Sequence, residues 1–231
     1  MAKEDRGAGE SGTRSSGRKA GGGMEGANAD TRMRILESAR QLFLDTGYHK
    51  VSMRTLAKAA GVSTGPLYFH FSNKAEVYFA LSMEALQVLN GRIQQAAALD
   101  LPEARKLHMI FMVFEGFYRE EPVYNQIIRL AFNPLSGIDF TESQRTALRD
   151  RKLQYMNIMK SVAASGIHNG ELRDTEATRL MLVLHALGEG IMMAAENGDL
   201  DMYGVTVTEL VNEASRVAYR GIAVREEGEQ E

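Results

Sequence analysis

The chain is defined first by what is missing. It has no cysteine, so disulfides and thiolate metal sites are excluded. No apolar run approaches the roughly 20 residues of a membrane span, and no membrane partner is expected. The first residues, Met1 to Arg6, lack the apolar stretch of a secretory signal, so a cytoplasmic protein is expected. No segment alternates apolar and polar residues for long, which argues against strands. There is no glycine-rich phosphate loop after a strand, no paired nucleophile and base at recognisable spacing, and no histidine-rich metal motif. His108, His168 and His185 are dispersed, and Glu189 follows His185 without a second ligand nearby. Neither catalysis nor a cofactor is expected.

What is present is helix and a divided charge. At 231 residues and 44% hydrophobic the chain can bury a substantial core. Its net charge of −3 conceals three parts. Residues 1–30 carry five charges of each sign. Residues 31–74 carry seven Lys/Arg against two Asp/Glu, and everything beyond is strongly acidic. A compact basic module joined to an acidic body can meet phosphates without adhering to polyanions everywhere.

The basic module contains the stretch Ser52-Met-Arg-Thr-Leu-Ala-Lys-Ala-Ala-Gly-Val-Ser-Thr-Gly-Pro-Leu-Tyr-Phe-His-Phe71. It reads as two short helices, with Ser52 and Ser63 as their caps. Gly61 lies between them, where a left-handed turn residue is cheapest without a Cβ. Ala57 is small enough for a helix crossing, and Leu56, Val62 and Leu67 form an apolar clamp. This is the pattern of a helix-turn-helix, whose second helix enters the major groove of DNA.

Around it the pattern stays helical. A Gly/Ser-rich, charged tail (1–29) is expected to be disordered. A first helix is expected from Thr31, ending at Gly47, with Ile35, Leu36, Ala39, Leu42 and Phe43 on one stripe. Further helices are expected from Lys74 to about Gln95, from Pro102 to Arg119, from Pro122 to Asn133, from Thr141 to Ile167, from a cap at Asp174 or Thr175 to Glu196, and from Val205 to Val224. The fold expected is all-α with about nine helices. A three-helix DNA-binding domain (30–76) precedes a larger helical ligand-binding and dimerisation domain (77–225) and an acidic tail (226–231).

The run Gly47-Tyr48-x-x-Val51-Ser52-Met53-x-x-Leu56-Ala57-x-x-Ala60-Gly61-Val62-Ser63-x-Gly65-x-Leu67-Tyr68-x-His70-Phe71-x-x-Lys74 resembles the N-terminal signature of the TetR family of transcriptional regulators. The resemblance covers about residues 31–78. It implies a ligand-responsive regulator, most simply a repressor, that binds a palindromic operator as a homodimer and is released by a small apolar or aromatic inducer. A helical adaptor without sequence-specific DNA binding is the alternative.

Arg54, early in the first helix of the pair, is placed to donate to guanine or phosphate. Ser63, Thr64, Gly65 and Pro66 form the exposed start of the recognition helix. Pro66 removes an N–H and offers an apolar face suited to a thymine methyl. Tyr68 and His70 look like the family's backbone clamps. Lys74, Thr31 and Ser52 complete the expected DNA contacts. In the body, Phe111, Met112, Glu115, Tyr118, Tyr124, Arg129, Tyr155, Met156, Met159 and His185 are the expected ligand contacts, because soft and aromatic walls with a few polar groups suit planar or greasy ligands. One recognition helix reads too few base pairs, so a second copy is needed. Leu180, Leu184, Leu187 and Ile191, with Leu210, Val211, Ala214 and Ala218, are the expected dimer stripes.

Overall fold

A computed structural model describes residues 22–222. Among them the structure is all-helical, with ten α-helices and one short 3-10 turn. Helices α1 (Gly22–Thr46), α2 (Met53–Ala59) and α3 (Thr64–His70) form the head. The 3-10 turn Tyr48–Lys50 leads from α1 into α2. The body comprises α4 (Lys74–Ala97), α5 (Glu103–Glu120), α6 (Pro122–Phe132), α7 (Glu142–His168), α8 (Ala177–Glu196), α9 (Asp199–Tyr203) and α10 (Val207–Ile222).

Local chemistry sets most of the boundaries. Ser52 caps α2 in a reciprocal box with Thr55: Thr55 N–H donates to Ser52 Oγ at 3.1 Å and Ser52 N–H to Thr55 Oγ1 at 2.9 Å. Asn73 caps α4 through the Glu76 N–H, and Thr141 caps α7 in a second box with Gln144. Pro122 occupies the first turn of α6, where its missing N–H costs nothing.

Five expectations need correction. Helix α1 begins at Gly22, so part of the expected tail is helical and Thr31 lies inside the helix, not at its cap. Residues 1–21 and the acidic tail 226–231 lie outside the described residues. Ser63 stands at the N-cap of α3, but its side chain makes no cap hydrogen bond. Glu176 rather than Asp174 or Thr175 caps α8, its carboxylate accepting from the N–H groups of Thr178 and Arg179 at 2.9 Å each. This position holds the Glu176 pKa below the usual carboxylate range. A short α9 brackets itself between Gly198 and Gly204, both left-handed, so α10 starts at Val207 rather than Val205.

Helix α4 runs through both halves. Its first turns bury Ala75, Val77, Tyr78 and Leu81, and its later turns bury Leu86, Leu89 and Ile93. It packs on α1 of the head and on α5, α6 and α7 of the body. Helix α8 is long and apolar enough to cross a membrane by length and composition. Here it packs against α5, α7, α9 and α10.

Candidate DNA-binding head and ligand pocket

The head is held by an apolar knot. Leu56 and Leu67 are fully buried, and Ala57, Val51 and Phe71 nearly so. Gly61 adopts φ +64° between α2 and α3, and Val62 N–H returns to the Ala57 carbonyl at 3.0 Å. This closes the turn and leaves the opposite face of α3 to solvent.

On that face Thr64, Gly65, Pro66 and Tyr68 are exposed, and Arg54 on α2 is exposed beside them in sequence order. Tyr68 is 55% exposed and its hydroxyl has no hydrogen bond among the described residues. His70 is half-buried. Ser63 is exposed with its hydroxyl unused by the cap, whereas Ser52 commits its oxygen to Thr55. Sequence reasoning passed over Phe69, which is 74% exposed and packs edge-on against His70 at 5.1 Å.

Lys74, expected as a DNA contact, is also engaged within the protein. Its Nζ donates to the Tyr48 carbonyl at 2.7 Å and lies 4.1 Å from the Tyr48 ring centroid. Burial lowers its pKa from the usual lysine range. It therefore ties the start of α4 to the turn before α2. The rings of Phe43, Tyr48 and Tyr78 meet in the same joint, with the Tyr78 ring edge-on to each of the others at 5.1 Å.

The expected ligand residues divide. Arg129, Tyr155 and His185 come together in one pocket between α4, α5, α6, α7 and α8. The pocket spans about 550 Å³ including its mouth. Leu89, Phe114, Phe117, Ile128 and Met192 supply its apolar wall, and Asn125 and Glu189 add polar atoms. Phe114, Tyr155 and His185 form an aromatic triad with centroids about 6 Å apart. Arg129 is ion-paired with Glu196, though the paired Nη atom is buried without a well-formed hydrogen bond. The spacing Asn125, Ile128, Arg129 on α6 and His185, Gly188, Glu189, Met192 on α8 is the helical-face signal for this wall.

The remaining candidates lie elsewhere. Phe111 and Met159 line a second pocket toward α10. Glu115 is buried and accepts from Thr208 Oγ1 at 2.7 Å, which ties α5 to α10 outside both pockets. Met112 and Tyr118 pack around a small core of Phe111, Ile191, Met192, Val211 and Ala214. Met156 packs, partly buried, on the main core. Tyr124 sits on the face of α6 that meets the head. Its hydroxyl accepts from Arg40 Nη1 of α1 at 2.7 Å and donates to Glu84 of α4 at 2.5 Å. Burial, then the Glu84 carboxylate, pushes its pKa up to about 12.

The dimer stripes also need correction. Leu180, Leu184, Ile191, Val211 and Ala214 are buried within the protomer, and Leu187, Leu210 and Ala218 are partly so. A stripe at helical spacing reports which face is covered, and here the covering elements belong to the same chain. The apolar groups left exposed are Leu182, Val183 and Met193 on α8 and Val217 and Tyr219 on α10.

A three-helix head with an open recognition face on an all-helical, pocketed body is the arrangement of a DNA-binding transcription regulator. Residues 35–81 match the family described as bacterial regulatory proteins, tetR family. The fatty acid metabolism regulator protein of Bacillus subtilis is 24% identical over 152 residues, covering 64% of this chain and 74% of that protein. The HTH-type transcriptional activator FasR of Mycolicibacterium smegmatis is 32% identical over 118 residues, covering 50% of this chain and 52% of FasR. The crystal structure of AibR in complex with isovaleryl coenzyme A and operator DNA shares the fold, with a TM-score of 0.62 at 18% identity over 81% of this chain and 97% of that one. Residues 35–81 thus resemble the N-terminal domain of the TetR family, and the whole chain shares its fold with solved structures of that kind.

Two outcomes follow for the head and the pocket. Tyr68→Phe, which removes one hydroxyl, is expected to weaken duplex binding about equally across sequences, and Arg54→Ala to weaken it and also relax sequence preference. Fluorescence anisotropy over a salt series checks both, and unchanged affinity in both variants would remove these contacts. For His185, burial is the main cause of a lowered pKa; nearby Lys152 lowers it further and Glu189 opposes. The unfolded chain then binds the extra proton near the ordinary value of about 6.5. Stability is full above that value and falls as pH drops through the folded value. The melting temperature should decline from pH 7 to pH 5, and less steeply in His185→Gln.

Proposed function

We propose that this protein is a ligand-released repressor that binds a palindromic operator as a homodimer, and that its effector is an amphipathic acyl compound. The observation that carries the reading is the double role of α6. One face of the helix places Asn125, Ile128 and Arg129 in the pocket wall. The neighbouring Tyr124 hydroxyl holds α1 of the head and α4 at once. A ligand that displaces α6 must strain that bridge, and a molecule that binds the strained state better shifts the balance away from DNA.

The pocket chemistry supports the ligand class. Half of its wall is Leu, Ile, Phe and Met, and its charged and amide groups gather on Asn125, Arg129, His185 and Glu189. That arrangement suits a hydrocarbon tail with a polar head. One relative carries fatty acid metabolism in its name, and one structural neighbour was crystallised with an acyl coenzyme A. Repression needs only that a dimer cover the promoter, without an activating surface.

The two-fold contact is assigned to the exposed faces of α8 and α10, where Leu182, Val183, Met193 and Val217 are 48–63% exposed. Together with their symmetry mates the two helices make a four-helix interface.

Two experiments test the reading. An operator is first selected from random duplexes, and its affinity is measured with and without fatty acids or their coenzyme A thioesters. The wild type should lose operator affinity by 10-fold or more on saturation. Tyr124→Phe should still bind operator and ligand but lose most of that response; an undiminished response would remove the bridge from the mechanism. Val183→Arg is expected to turn the dimer into a monomer in analytical ultracentrifugation and to abolish tight operator binding. A Val183→Arg protein that stays dimeric would move the interface elsewhere.

A further inference from the structure

Leu184 on α8 lines two pockets at once. On one side is the pocket of Arg129 and His185; on the other is a second pocket between α5, α7, α8 and α10, walled by Leu107, Phe111, Met159, Ala218 and Ile222. Leu184 is the one residue common to both linings. It is 8% exposed, so it is a partition and not a surface group.

The wall around it is thin. Gly188, one turn along α8, faces the first pocket, and a Cβ there would stand 3.5 Å from the Phe111 ring of the second. Tyr155 and Met159, one turn apart on α7, face one pocket each. The second pocket is largely apolar; its polar groups are His108 and Ser215, which satisfy each other, His108 Nδ1 lying 2.5 Å from Ser215 Oγ, and the half-exposed Tyr219 at its edge. Burial, and then the Arg105 charge, lowers the His108 pKa. A space walled mainly by apolar groups, with its buried polar pair already satisfied, suits hydrocarbon better than a charged head.

We infer that the second pocket is the tail end of the effector site and that Leu184 sets the length of apolar chain the protein accepts. The inference rests on the acyl reading of the effector given above. A short chain fills the first pocket and ends against the Leu184 side chain. A longer chain enters the second pocket only if that side chain leaves its place, and in a close-packed interior such a move is resisted. Affinity should therefore rise by about fourfold for each added methylene until the tail reaches Leu184, and then stop rising.

The experiment is calorimetric titration of the full chain with straight-chain fatty acids of four to sixteen carbons and with the matching coenzyme A thioesters. Wild type, Leu184→Ala and Leu184→Phe are compared, with circular dichroism and operator binding as controls for folding. The length at which affinity stops rising should shift to longer chains by two or more carbons in Leu184→Ala and to shorter chains in Leu184→Phe. Leu184→Val, a smaller truncation, replaces the alanine variant if that one fails to fold, and must shift the limit in the same direction. The inference is overturned if both folded variants keep the wild-type limit, or if wild-type affinity climbs without a limit. Binding of no acid or thioester by any of the proteins would instead remove the acyl reading itself, and the partition with it.

Discussion

Helix α4 belongs to two cores, and that constraint governs the rest of the structure. Its N-terminal turns are buried against the head through Ala75, Val77, Tyr78 and Leu81. Its C-terminal turns are buried in the body through Leu86, Leu89 and Ile93. A 24-residue helix is about 36 Å long. Being stiff, a helix tilted by about 5° at Leu89, which touches the pocket, would shift its N-terminal end, roughly 22 Å away, by about 2 Å. Lys74 and the Tyr48–Tyr78 contact fix the head to that end. The head therefore has little freedom to respond independently of the body.

Tyr124 supplies the lateral restraint. Its phenol is shared by a cation on α1 and a carboxylate on α4, with Arg40 also paired to Glu37. Charge-assisted hydrogen bonds of this kind are short and directional. They fix the angle between three helices more sharply than leucine packing, which tolerates sliding. An apolar contact would let α6 move without consequence for α1.

The head was largely legible in the chain because its signals are local. Ser52, Gly61 and Asn73 act within a few residues of themselves, so cap, turn and helix start can be read from spacing alone. Ser63 shows the limit: it has the right type and place for a cap, yet its oxygen bonds no backbone N–H. In the body the helices were legible and their neighbours were not. Apolar stripes on α8 and α10 show that Leu184 and Val211 are covered, but periodicity carries no information on whether the cover is the same chain or another. Tyr124 looked like a pocket group for the same reason. Its partners, Arg40 and Glu84, lie in distant helices that only the packed structure brings to it.

The recognition helix presents Pro66 and Phe69 where many DNA-reading helices present donors. Phe69 leaves most of its ring in water when no duplex is present. Covering that ring removes apolar surface from solvent, so operator association should carry a negative heat-capacity change. Counterion release weakens as salt rises, but this contribution does not. If the ring meets DNA, a residue of affinity would persist at ionic strengths where purely phosphate-driven attachment has faded, and only where a groove is shaped to receive the ring.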